Sequence, residues 1–205
     1  MKVMRIKKSI TYLFILCLMF LLFGMSTEAA SKNAKIYKKF LKKRSTSVTI
    51  NGSNGKYKQK VKMNYFVLIN IDKSGPKELI VKNTEYDWDN YVFTIKNGKV
   101  KFLGRVAGKY NSGRVLYNAK YKGLVGRDGG TGFLLHSLYK LKNGKLNESI
   151  HIWENHNLSD TFAVNNKNCS KKTFNKYYNK YFKTSKLKSY AFVTNKKANR
   201  NRLLK

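Results

Sequence analysis

The stretch that most restricts what this chain can become is Met63 to Asn83, MNYFVLINIDKSGPKELIVKN. Two short apolar runs, Tyr65–Ile71 and Glu78–Val81, flank a polar turn, Asp72–Lys77. Both runs are rich in β-branched and aromatic residues and too short for a typical helix, so they predict strands. The turn holds the only proline, Pro76, beside Gly75, which supplies the positive φ that other residues resist. A buried β-turn-β unit follows, and the rest of the chain has to pack around it.

The same punctuation recurs on both sides. Thr46–Ile50 and Lys56–Met63 predict a hairpin across NGSNG. In its second strand Lys56, Lys58, Lys60 and Lys62 share one face, and Tyr57, Gln59, Val61 and Met63 share the other. Successive lysines then stand about 7 Å apart, so the ladder repels itself unless it is solvated or faces an anion. A solvated strand edge guarded by lysines and a polyanion contact are the two readings. Asn97-Gly98 and Asn143-Gly144 are the strongest short hairpin signals, and FTIKNGKV and YKLKNGKL suggest a duplicated hairpin. Between them, Arg114–Tyr117 and Tyr121–Val125 read as strands. The glycine-rich stretch Gly123–Phe133 lacks the spacing of a phosphate loop or dinucleotide fingerprint, and bulges and a wide turn account for its glycines.

Helices are expected near each end of this β-rich region. Ala34–Lys43 places Ile36, Tyr37, Phe40 and Leu41 at helical spacing against a lysine face. Ser170 is a good N-cap for a helix over Lys171–Phe182, with Cys169 and Phe174 placed as a hydrophobic staple. Tyr190–Val193 reads as a last strand, and Thr194 or Asn195 as the cap of a closing helix. The expected class is α+β: an antiparallel meander of about eight strands with short helices near the N- and C-terminal ends.

Lys2, Arg5, Lys7 and Lys8 precede the apolar run Ile10–Met25, and small residues close it at Ala29-Ala30. The run is shorter than the roughly 20 residues a spanning helix needs, so residues 1–30 read as a cleaved secretory signal. An uncleaved N-terminal anchor is the alternative. Residues 31–205 then form a single secreted domain, extracellular or associated with the cell wall, without stable membrane insertion. The whole chain carries a formal net charge of +33, and loss of the signal leaves about +30. Such a field attracts polyanions. Only Cys169 survives processing, so no intrachain disulfide forms and packing must supply the stability.

Few residues point to chemistry. Glu85, Asp87 and Asp89 share a strand face, as a cation site or as ion-pair partners of nearby basic residues. His151, Glu154 and His156 lack the HExxH spacing, and on a strand the two histidines point to opposite faces.

Phe66–Val81, FVLINIDKSGPKELIV, resembles the Asp-x-Asp-Gly-Asp-Gly-x-Pro-Glu-Leu unit of FG-GAP-type β-propeller blades. It is more similar still to secreted Gram-positive proteins of unknown function that carry one degenerate unit of this kind. Their helix, Asn-Gly turns, Gly-Gly-Thr-Gly stretch and Ser-Lys-Lys-capped helix correspond to Ala34–Lys43, Asn97-Gly98, Gly129–Gly132 and Ser170–Phe182 here. The resemblance implies the turn but argues against calcium. Acids of the ion-binding form are replaced by Asn70, Ser74 and Lys73, and only Asp72 and Glu78 keep carboxylates as weak metal candidates.

Three functions follow in order. The first is a non-catalytic module, needing no cofactor and acting as a monomer, that associates with anionic extracellular polymer of the wall teichoic type through Lys56, Lys58, Lys60 and Lys62. The second is an extracellular hydrolase drawing on Asp128, His136, Glu154 or the Glu85–Asp89 carboxylates, with no pair whose spacing names a catalytic residue. The third is a nucleic-acid binder, for which no module pattern is present and no specific nucleic acid is expected.

Overall fold

Alternation of buried and exposed residues writes most of this chain as strands. In the computed structural model, residues 30–52, 55–72, 75–84, 88–157 and 161–205 are described. The described chain opens with helix α1 over residues 30–42, followed by β1 (Ser45–Gly52), β2 (Gly55–Lys62), β3 (Tyr65–Ile69) and β4 (Glu78–Lys82). Next come β5 (Asp89–Lys96), β6 (Lys99–Ala107), β7 (Arg114–Asn118), β8 (Gly123–Gly130), β9 (Phe133–Lys142) and β10 (Lys145–Asn155). The short strands β11 (Thr161–Val164) and β12 (Lys167–Cys169) lead into α2 (Lys171–Tyr177) and a π-helical turn, Tyr178–Phe182. Strands β13 (Lys188–Ala191) and β14 (Val193–Thr194) and helix α3 (Lys197–Leu203) end the chain.

The class is α+β, as expected, but the strands number fourteen among the described residues and fall into three sheets. Every pairing is antiparallel. One sheet has the order β14-β3-β4-β5-β6, the second β12-β11-β10-β9-β8-β7-β13, and β1-β2 stands apart as a two-stranded sheet. The expected unit around Pro76 is the β3–β4 hairpin, at the middle of the five-stranded sheet, with Ile69 opposite Glu78. The two Asn-Gly turns close β5–β6 and β9–β10, with positive φ at both central residues, as a type I′ turn requires. They lie one in each large sheet. The sheets approach where a Cβ built on Gly104 would meet Leu146 Cβ at 3.2 Å.

The two large sheets stack. Val67, Ile69, Ile80 and Val92 of the first interlock with Val115, Tyr117 and Leu124 of the second. The outer face of the five-stranded sheet, carrying Phe66, Leu79, Val81 and Phe93, lies under α1 and the β1–β2 hairpin. Val48, Ile50, Val61 and Met63 face inward from that hairpin and its exit. Four such side chains contribute roughly 6 to 12 kcal/mol of burial before chain entropy is subtracted. The outer face of the seven-stranded sheet, with Leu116, Val125, Leu138 and Ile152, lies under α2 and the π turn.

Ser170 caps α2 as the sequence predicts, accepting from the Thr173 N–H at 3.3 Å, and Cys169 and Phe174 join the same apolar cluster. The helix does not run on as α to Phe182. Eight residues of α-helix would rotate Phe182 about 80° away from Phe174. The wider π turn, closed by Lys183 N–H to Tyr178 O at 3.0 Å, buries both rings. The glycines of β8 sit in a paired strand with close neighbours, not in a wide loop. A Cβ on Gly126 would lie 2.9 Å from the Tyr139 ring and 3.0 Å from Ala107 O.

The last strand of the sequence reading is two strands. β13 pairs with β7 and β14 with β3, so the chain passes from one large sheet to the other at Phe192. Neither Thr194 nor Asn195 caps α3, whose N-cap is Lys196 without a side-chain bond. Asn195, 1% exposed, has another task. Its amide donates to Leu41 O at 2.8 Å and Met63 O at 2.7 Å, tying the end of α1 to the exit of β2. Arg200 donates to Asn195 Oδ1 at 2.7 Å, and Arg44 to Asn195 O at 2.8 Å.

Candidate functional site

The β1–β2 register decides what the lysine ladder faces. Lys56, Lys58, Lys60 and Lys62 pair with Asn51, Thr49, Ser47 and Ser45, and directly opposed residues in antiparallel strands project on the same side. All four lysines are exposed, while Val48, Ile50 and Val61 on the other side are buried. The outward face of the hairpin is therefore four ammonium groups interleaved with small hydroxyl and amide side chains, without a carboxylate. Among the described residues none of the four lysines makes an ion pair or a side-chain hydrogen bond. Adjacent ammonium groups about 7 Å apart repel by roughly 0.6 kcal/mol in water, a cost that a bound polyanion removes. Tyr57 lies 44% exposed toward the tip of the same strand.

The turn that resembles an ion-binding unit is occupied by its own backbone. Glu78, 2% exposed, accepts the Ile71 N–H at 2.9 Å through Oε2. Burial pushes its carboxyl up to about 7 against that hydrogen bond, with Asp72 adding to the rise. Tyr37 of α1 closes the other side, its hydroxyl donating to Lys77 O at 2.9 Å. Residues 73 and 74 lie outside the described residues, and no group of three metal-ligating side chains occurs among those described.

The remaining titratable residues are spread out. Asp89 pairs with Arg105 at 2.9 Å, while Glu85 and Asp87 lie outside the described residues. His151 sits 3.3 Å from Glu148 and His156 3.3 Å from Glu154. In β8–β10 the register aligns Asp128, Leu135 and Trp153 in one row and Arg127, His136 and Ile152 in the next. Asp128 therefore projects on the opposite side of the sheet from His136, and also from Glu154 two residues beyond Ile152. His136 is buried against Tyr178 and Phe182, with neither ring nitrogen hydrogen-bonded. Burial first, and the Arg127 charge second, push it down to about 4, so its ring is neutral. His136 and Glu154 share one side of the sheet, but the His136 ring packs on Tyr178 and Phe182 while the Glu154 carboxylate lies against His156, and no hydrogen bond joins the two.

Sequence reasoning passed over a ring. Trp88 is 64% exposed, with the Lys109 ammonium 4.3 Å from its centroid. On one side of it a depression of about 580 Å³ is lined by Tyr65, Lys82, Lys109, Arg114 and Phe192. On the other side a depression of about 280 Å³ is lined by Lys60, Lys62, Asn83 and Tyr91. Lys82, almost fully buried at the end of β4, points its ammonium at the Phe192 ring, 4.5 Å from the centroid, and at Tyr65, 5.9 Å away. The signal available in the sequence was the alternation of aromatic and acidic residues in Glu85-Tyr86-Asp87-Trp88-Asp89.

No family model, curated protein or solved structure matches this chain.

Proposed function

We propose that this protein is a secreted, non-catalytic binding module that holds to an anionic extracellular polymer of the wall teichoic type. The observation that carries the reading is the outward face of β1–β2: four exposed lysines in register with Ser45, Ser47, Thr49 and Asn51, and no acid among them. A total charge of +33 supports it, because the long-range field brings a polyanion to the surface on which short-range contacts then form. No helix among the described residues is long and apolar enough to cross a membrane.

Binding a phosphate-bearing polymer releases counterions, so affinity falls steeply as salt rises. Retention of residues 31–205 on purified walls is expected to be lost well below molar sodium chloride. Replacing Lys58 and Lys60 by Glu should weaken it more than the same change at Lys171 and Lys172, which are exposed on α2 across the molecule. Salt-insensitive retention would remove charge as the tether. An equal loss at both pairs would remove the hairpin as the contact.

A further inference from the structure

The two depressions beside the hairpin share one residue, Trp88, and Lys60 and Lys62 belong both to the ladder and to the smaller depression. A chain lying along the lysine face therefore reaches Trp88 without leaving the surface. The ring is unusual in this molecule because it is both large and open. Tyr65 and Phe192 face the Lys82 ammonium, and Lys109 stands over Trp88, which at 64% is the most exposed large ring among the described residues. A broad indole with an amide and a hydroxyl in the depressions it lines, Asn83 and Ser112, fits the CH face and the hydroxyls of one sugar ring. Sequence-tolerant binding of single-stranded nucleic acid would enlist further open rings, here Tyr57 and Tyr110 at 44% and 41% exposure, and the oligothymidylate arm of the test addresses it.

Charge narrows the class further. Five cations line the two depressions: Lys60, Lys62, Lys82, Lys109 and Arg114. The one lining carboxylate, Asp89, is paired with Arg105. The cations outnumber Asp89 together with its chain neighbours Glu85 and Asp87, even if both are counted. The larger depression is within the size range of ordinary ligand sites, and the smaller is just below it.

We propose that Trp88 and the depressions on either side of it form a saccharide subsite, and that the polymer held by the hairpin is an acidic glycan: a chain of sugar rings carrying carboxylate or phosphate. The subsite rests on the polyanion reading above and gives that polymer its chemical identity. Lys109 positions the indole, while Lys60 and Arg114 lie where anionic groups on neighbouring sugars would fall.

The test uses residues 31–205 with Trp153→Phe, so that Trp88 is the only fluorophore of its kind. Four probes are compared: a uronic-acid hexasaccharide, a sugar-phosphate oligomer, a polyglycerol phosphate without sugar substituents, and a single-stranded oligothymidylate. The uronate should shift Trp88 emission, and Trp88→Ala should weaken uronate affinity roughly tenfold while leaving the melting temperature and polyglycerol-phosphate affinity unchanged. The sugar-phosphate oligomer run beside the uronate separates the two anionic groups by affinity, and Trp88 dependence in either supports the subsite. Uronate and sugar-phosphate affinities that Trp88→Ala leaves within twofold would overturn it. So would tighter, Trp88-dependent binding of the oligothymidylate. Wall retention that still depends on salt and on Lys58 and Lys60 would then show that only the saccharide subsite has failed.

Discussion

The two large sheets share one core but wear different lids. The seven-stranded sheet lies under α2 and its π turn, whose rings Phe174 and Phe182 are buried in the same cluster as Leu138 and Ile152. Two lysines on this lid stand over the protein's own rings: Lys171 over Phe162 at 5.8 Å and Lys180 over Tyr181 at 4.9 Å. The five-stranded sheet lies under α1 and the β1–β2 hairpin, which share no ladder hydrogen bond with it. Lysines on this second lid have no such ring beneath them among the described residues. The same side chain thus meets protein rings on one side and none on the other. What separates the two is the aromatic surface each lid provides: Phe174, Tyr177, Tyr178, Tyr181 and Phe182 on the one, and Tyr37, Phe40 and Tyr57 on the other.

The largest effects should come from unseating each lid. Phe182→Ala removes a fully buried ring stacked on His136 and should cost about 3–5 kcal/mol in urea unfolding. Ile50→Ala in the hairpin should cost about 2–3 kcal/mol and also weaken wall retention, which Phe182→Ala should leave intact at temperatures where both variants are folded. Loss of retention in the Phe182 variant would break the comparison.

Acidity sharpens it, because Glu78 of the five-stranded sheet and His136 of the seven-stranded sheet are buried groups of opposite habit. The folded His136 sits below its unfolded value, so its contribution is full above pH 6.5 and is lost as pH falls toward about 4. The folded Glu78 sits above its unfolded value, so its contribution is full below pH 4.5 and is lost as pH rises through about 7. Each amounts to about 3 kcal/mol at most. Between pH 4.5 and 6.5 the two slopes oppose each other, and the parent protein should have a flat stability profile there. His136→Leu should uncover stability that declines with rising pH, and Glu78→Gln stability that rises with it. Parallel profiles in both variants would show that the two groups do not titrate as their surroundings dictate.

The smallest effects belong to the displayed lysines and the turn. Lys58→Ala with Lys60→Ala should change stability by less than about 0.5 kcal/mol, in the stabilising direction at low salt because the ladder repels itself. Chelation should leave the melting temperature unchanged, since Glu78 Oε2 is already taken by Ile71 N–H. A calcium-dependent rise of several degrees would mean a native-state ion site.

Features decided within a few residues were legible in the sequence. Asn97-Gly98 and Asn143-Gly144 need positive φ at two successive positions, Ser170 caps the helix it precedes, and the alternation in β2 sorts Lys58 and Lys60 from Val61. Features decided across the chain were not. Nothing local separates β13 from β14, because the passage at Phe192 depends on which sheet each half finds. The π turn exists because Phe182 has to reach the seven-stranded sheet, and an ideal helix would satisfy the same local sequence. The candidate site divides in the same way. The lysine face follows from period two, whereas the Trp88 platform takes shape only when β2, β4 and the segment after β6 come together.

Asn195 gives the chain a direction in time. Its amide reaches across 154 residues to Leu41 and 132 to Met63, so α1 and β2 are fastened by a residue made long after them. Contacts of such separation form late, after the closure entropy of nearly the whole chain has been overcome. While the polypeptide emerges from its N-terminus, the lysine hairpin has no clasp and its apolar underside no fixed seat. The lysine face is therefore clasped only once Asn195 and Arg200 are in place. Trimming past Asn195 with a carboxypeptidase would release α1 and the hairpin first.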